Sequence, residues 1–268
     1  MREKRLFLFI MMLIFLPFLT ASVMTVNPAT DEQELIFIPA AKERSMGKKI
    51  NEKVCEHFDL PVDPLMQKRI EEIGQRLARG ADRTEVVYRF KVLDYEKDDF
   101  YNAFAAPGGY IYIFTDLVDA LKRDDEIAAV LAHEMAHVEA KHSIKRLQGD
   151  IGATILMILG SQMGGDRRSH AEANMAINQL MAAYSRHDET QADELSVKYL
   201  KRADFDPEGA VNALKTLKKL RKKGPRMKYS FYKSHPYLSE RIADLKNFIK
   251  GHADFDSYIN LVTDNDEL

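Results

Sequence analysis

The chain has 268 residues, 46% of them hydrophobic, which is enough to bury a substantial core and argues against disorder. Its 39 Lys and Arg against 41 Asp and Glu leave a net charge of -2, so it lacks the basic footprint of a phosphate-binding surface and nucleic acid is not an expected partner. The single cysteine, Cys55, rules out an internal disulfide and a multi-cysteine zinc site, so any metal must be held by His, Asp or Glu.

Basic Met1 to Arg5 precede an apolar run from Leu6 to Leu19 and then the small residues Thr20, Ala21 and Ser22, which is the pattern of a secretory signal over residues 1–22. The run is shorter than the roughly 20 residues of a membrane span; cleavage after Ser22 is expected, with an uncleaved anchor as the alternative. No repeat or Pro/Gly/Ser-rich linker divides the remainder, so residues 23–268 read as one domain. Met46, Ile50, Val54 and Phe58, then Leu65, Ile70, Ile73 and Leu77, recur at helical spacing around Pro61 and Pro64, predicting two helices between Ala40 and about Arg79. Val86 to Leu93 alternates like a half-buried strand, with Tyr88, Phe90 and Val92 on one side and Arg89 and Lys91 on the other. Pro107-Gly108-Gly109 predicts a turn into a second strand, Tyr110 to Phe114.

Beyond Thr115 the pattern is helical, over about 116–122, 124–147, 167–203, 207–223 and 236–250. Asp206-Pro207-Glu208 supplies a cap, a first-turn proline and a first-turn acid. Early strands and late helices make the fold class α+β, predominantly helical. The most apolar stretch, 151–165, is too short to span a bilayer; it reads as a core element or as a flap touching membrane or unfolded protein.

His133-Glu134-Met135-Ala136-His137 lies within the helix that begins near Asp124. Residues four apart stand one turn from each other on one face, so both imidazoles can reach one ion, and Glu134 falls beside the same cleft, where it can take a proton from a water on that ion. A catalytic zinc site uses three protein ligands, and imidazole suits zinc. The neighbours Ile127, Val130 and Val138 turn this face inward, where unpaired His and Glu would be costly. The position six beyond His137 is Ser143; His142 is one residue out of register and reads as a surface residue or as a support for a ligand. The third ligand then comes from another helix. Glu189 and Asp193, four apart, can divide the work, one carboxylate binding the ion and the other holding a histidine's distal nitrogen; spacing leaves Asp188 and Glu194 open as well.

The chain resembles the gluzincin metallopeptidase family that includes the CAAX prenyl protease, HtpX and the periplasmic protease of β-barrel assembly. The resemblance is carried by Asn27-Pro28-Ala29-Thr30 with Glu34 to Ile38, Asn102-Ala103-Phe104-Ala105 with Pro107 to Tyr112, Leu131 to His137, Ser185-Arg186 with Glu189 and Ala192-Asp193, and Ser234-His235-Pro236 with Glu240-Arg241-Ile242. It implies a zincin-like fold with a small sheet bordering the active-site helix, one Zn2+ per chain on His133, His137 and Glu189, Glu134 as the base and Asp193 in support. Several long spans of the membrane members and a repeat tail are not expected here.

His235, before Pro236, can serve as donor to the oxyanion of peptide hydrolysis, as a regulatory ligand plugging the zinc, or as a helix-start histidine bonded to backbone. Under the resemblance, Tyr110 to Phe114 borders the cleft with a free edge for an extended peptide. The reading is an exported zinc endopeptidase of the periplasm or cell envelope, with unfolded or misassembled proteins as substrates and possible membrane-surface contact through 151–165. The alternative is a non-proteolytic chaperone or assembly factor with a plugged site.

Overall fold

The computed structural model describes residues 23–36, 38–60, 63–95, 99–146, 148, 182–223 and 231–251. The chain begins with a hairpin, β1 (Val23–Val26) antiparallel to β2 (Gln33–Ile36). Helices α1 (Ala40–His57) and α2 (Pro64–Ala78) follow, and then β3 (Arg89–Leu93), β4 (Ala103–Ala106) and β5 (Tyr110–Phe114). The rest is helical: α3 (Thr115–Ala120), α4 (Asp124–Glu139), α5 (Arg186–Arg202), α6 (Glu208–Lys223), α7 (Phe231–Ser234) and α8 (Leu238–Lys250). The α+β, mainly helical class is therefore observed. Residues 1–22, 149–181 and 252–268, which include the expected signal, the apolar stretch 151–165 and the first half of the helix expected over 167–203, lie outside the described residues. Among the described residues no helix is long and apolar enough to cross a membrane.

The sheet has the order β3-β5-β4, with β3 parallel and β4 antiparallel to β5. Its residues alternate between two cores. Phe90, Val92, Ala103, Ala105, Ile111 and Ile113 face the core that also holds α4, whereas Leu93, Phe104, Tyr112 and Phe114 join Val54 of α1 and Phe58, which caps its C-terminal end. Burial on both faces explains why Tyr110 to Phe114 reads as a continuous apolar run. Ala103 and Ala105 are small, which lets α4 pack against β4.

The structure differs from three expectations. β5 is the central strand, so it has no free edge; the outer edges of the sheet belong to β3, where the Gln67 side chain donates to Phe90 O and accepts from Val92 N, and to β4, whose alanines carry little strand signal of their own. The helix expected over 124–147 is broken: Lys141 adopts φ 54° and a new helical turn runs over 142–146. Likewise, residues 183–185 are not helical. Ser185 caps α5 in a capping box with Asp188, so that helix starts afresh at Arg186. The expected cap of α6 is present, Asp206 Oδ1 accepting from Glu208 N at 3.0 Å.

α4 is buried from Ile127 to Glu139, without a solvent-facing side. Its C-terminal end is held by a polar network. Glu139 accepts from the backbone N of Asp82 and of Arg83 and from the Tyr88 hydroxyl. Arg83, 2% exposed, donates to Val138 O and makes a two-pronged ion pair with buried Glu43, whose carboxylate also accepts from Gly108 N in the β4–β5 turn. Removing one partner of a buried pair strands the other charge, whereas removing both can be nearly neutral. Arg83→Met should therefore cost about 3–5 kcal/mol in urea unfolding, and adding Glu43→Leu should recover part of it. A single-variant cost below about 1 kcal/mol would show that the pair does not hold the helix end.

Candidate metal centre

His133 and His137 project from the middle of α4, one turn apart, with their Nε2 atoms 3.1 Å from each other. α5 crosses beside α4 and brings Glu189, whose Oε2 lies 3.4 Å from His133 Nε2 and whose Oε1 lies 3.7 Å from His137 Nε2. The turn between α7 and α8 brings His235. Its Nδ1 is 3.0 Å from Glu189 Oε1 and 3.2 Å from His133 Nε2. One donor atom from each of these four buried residues lies within 4.8 Å of the others.

Glu134 is wholly buried, and neither of its carboxylate oxygens has an aligned hydrogen bond among the described residues, although His235 Nε2 approaches Oε1 to 3.2 Å. Burial pushes its carboxyl pKa up. Burial opposes charge on Glu189 too, but there Arg241, His235 and His133 outweigh it and hold the carboxyl well below the usual range. Burial keeps the His137 imidazole well below its ordinary pKa.

Each ligand candidate has a support. Asp193 Oδ1 lies 3.0 Å from His133 Nδ1, the pairing expected for a carboxylate one turn beyond Glu189. His142 is buried, not on the surface; the break at Lys141 turns it inward, and its Nδ1 meets His137 Nδ1 at 2.8 Å. Of the acids left open by spacing, Asp188 is used in the helix cap and Glu194 is exposed.

Three further groups were not assigned roles from sequence. Arg241 of α8 is buried, donates to both oxygens of Asp193 at 2.8 and 2.7 Å, and forms an ion pair with Glu189 Oε2 at 2.6 Å. It stands in the quoted Glu240-Arg241-Ile242 segment, the one signal that could have marked it. Tyr184 stacks on His137 at 3.8 Å between ring centroids, and Phe231 stacks on His235 at 4.3 Å. Neither residue falls in a sequence pattern that foretells this packing.

The donor set fits a cation. Imidazole nitrogens facing one another, a carboxylate between them and a buried carboxylate without an aligned donor are expensive for protein atoms alone. Two imidazoles and a carboxylate from helices, with a glutamate next to the first histidine, suit a borderline divalent ion and a water beside it.

An α+β fold with a small sheet against a buried HExxH helix, and a carboxylate brought beside its histidines by a second helix, defines a zincin-like metallopeptidase. Residues 64–249 match the model of peptidase family M48, and the chain belongs to that family. It is similar to the beta-barrel assembly-enhancing protease of Yersinia pestis, at 26% identity over 77% of this chain and 43% of that protein. It is also similar to the mitochondrial metalloendopeptidase OMA1 of Saccharomyces cerevisiae, at 28% identity over 83% of this chain and 68% of that one. The metalloprotease LoiP of Escherichia coli is 26% identical over 75% of this chain and 79% of its own length. The chain thus spans less than half the length of the first of these relatives.

His137→Ala should abolish stoichiometric metal at neutral pH, because it removes one of two imidazoles on the rigid helix. Elemental analysis showing one metal ion per chain in that variant would refute the assignment.

Proposed function

We propose that the protein is an exported zinc endopeptidase of the cell envelope that cuts unfolded or misassembled proteins. The observation that carries the reading is the convergence of His133, His137 and Glu189 on one point beside a buried Glu134 that lacks an aligned donor. Those three residues would hold the ion, which when bound supplies Lewis acidity to the attacking water and the scissile carbonyl. Glu134 removes the water's proton onto its carboxylate and returns it to the leaving amine. Asp193 fixes the His133 ring, and Arg241 keeps Asp193 and Glu189 ionised and in place. A substrate strand laid along the outer edge of β4 would gain main-chain hydrogen bonds that depend little on side chains, which suits unfolded proteins. The apolar run at Leu6 to Leu19 supports export, with cleavage after Ser22 or retention as an anchor, and the name of the beta-barrel assembly-enhancing relative supports a role in protein quality control. Membrane contact through 151–165 belongs to the same proposal.

Purified chain should degrade casein, lose this activity to a chelator and regain it with zinc. Glu134→Gln should keep metal and fold yet lose turnover. Casein cleavage undiminished in that variant would remove Glu134 from the chemistry; a metal-loaded wild type inert toward every unfolded protein would favour the chaperone alternative.

A second reading concerns His235, and its position favours the plug over the oxyanion donor. Its Nδ1 stands among the ligand atoms while its Nε2 addresses Glu134, so one ring meets both the ligand cluster and the base. His235→Ala should accordingly raise basal casein cleavage. A fall of about 10² to 10³ in turnover would instead identify an oxyanion donor.

A further inference from the structure

We infer that His142 is a positioning residue for His137, fixing that ring's orientation and tautomer through a one-way hydrogen-bond chain that continues to Gln191 and Glu32. The inference rests on the reading of His133, His137 and Glu189 as metal ligands. His142 Nε2 faces Gln191 Oε1 at 2.9 Å and Asp188 Oδ1 at 3.5 Å, and both atoms accept. The orientation of the Gln191 amide is set in turn by its far end, where Nε2 donates to Glu32 Oε1 at 3.1 Å, because an ionised carboxylate only accepts. The proton of the His142 ring therefore sits on Nε2, and Nδ1 keeps a lone pair. His137 Nδ1 faces that lone pair at 2.8 Å and must donate to it. His137 Nε2 is thereby left unprotonated, on the side where His133 Nε2 and Glu189 Oε1 lie at 3.1 and 3.7 Å. Read in the opposite direction the chain fails at Glu32, which has no proton to give.

The arrangement differs from that at His133, whose Nδ1 meets the charged Asp193. His137 is oriented by an imidazole and an amide, so it is aimed without a second buried negative charge. Three distant pieces of chain cooperate in this: the turn after Lys141, helix α5, and the connection between β1 and β2 that carries Glu32.

The test compares the full chain with His142→Ala and His142→Asn. The Asn Oδ1 occupies the place of His Nδ1, so it restores the acceptor for His137 while breaking the link to Gln191. Zinc affinity is measured by competition with a chromophoric chelator, ligand geometry by the visible spectrum of the cobalt-loaded protein, and fold by circular dichroism. His142→Ala should weaken zinc binding about 10- to 100-fold and alter the cobalt bands, and His142→Asn should recover most of both. Wild-type affinity and spectrum in His142→Ala would overturn the inference, as would an Asn variant no better than Ala, because ring volume would then be what counts. A wild-type chain that binds no metal would overturn the metal-site reading on which the inference stands. If His142→Ala fails to fold, Gln191→Leu, at a partly exposed position, takes its place with the same readouts and an expected loss of about 10-fold.

Discussion

A helix buried on every side can carry titratable side chains only if each is matched by a partner brought from elsewhere in the chain. α4 carries four such side chains in its last two turns: His133, Glu134, His137 and Glu139. The rest of the fold can be understood as the supply of their partners. The loop after α2 gives Glu139 two backbone donors, and Tyr88 gives it a third. α5 and α8 give His133 an acid backed by an arginine, and the turn past Lys141 gives His137 an imidazole. Glu134 alone is left without an aligned donor. That exception is the residue assigned the proton transfer, where a carboxylate held by fixed donors would be a poorer base.

The parts of this arrangement that were legible in the sequence are those set by spacing within one element. His133 and His137 declare themselves by their four-residue interval, Glu189 and Asp193 by theirs, and Asp206-Pro207-Glu208 by its cap chemistry. Relations between elements were much less visible. Arg241 acts on residues of another helix 48 positions away, and Tyr184 and Phe231 act by stacking, for which no local pattern exists. β4 was missed as a strand because alanines have weak strand preference, yet those same alanines are what permit the helix to approach. The family resemblance named the segment holding Arg241 and strengthened Glu189, but spacing could not reveal the central position of β5. His142 was hidden for a different reason. A continuous helix through residue 147 would have turned it outward, and only the left-handed residue Lys141 reverses it.

His235 occupies a short turn between two helices, and the turn is itself unusual: Tyr237, at its end, has φ 66° although it is not glycine. Such a backbone costs on the order of 1 kcal/mol or more and persists where neighbours over-determine it. Here the neighbours are Arg186, whose guanidinium lies 4.1 Å from the Tyr237 ring centroid, and Arg241, whose backbone N donates to Tyr237 O at 2.9 Å. At the other end of the turn the His235 ring stacks on Phe231 and His235 N donates to Phe231 O at 2.7 Å, while Phe231 N donates to Tyr101 O, just before β4. The histidine and the segment that leads into the strand edge are thus linked through Phe231.

The donor atoms also have a consequence for the life of the chain. His133 and His137 come from one helix, but Glu189 lies on a second, and His235 is 46 residues further on and 102 from His133. Bringing such distant segments together is what late steps of folding accomplish, since their closure entropy is offset only when the surrounding core forms. A nascent or unfolded chain therefore holds at most a bare histidine pair. On the proposed reading of these residues as metal ligands, ion capture and completion of the fold become one thermodynamic event, and the cluster comes into being only once the molecule has finished folding.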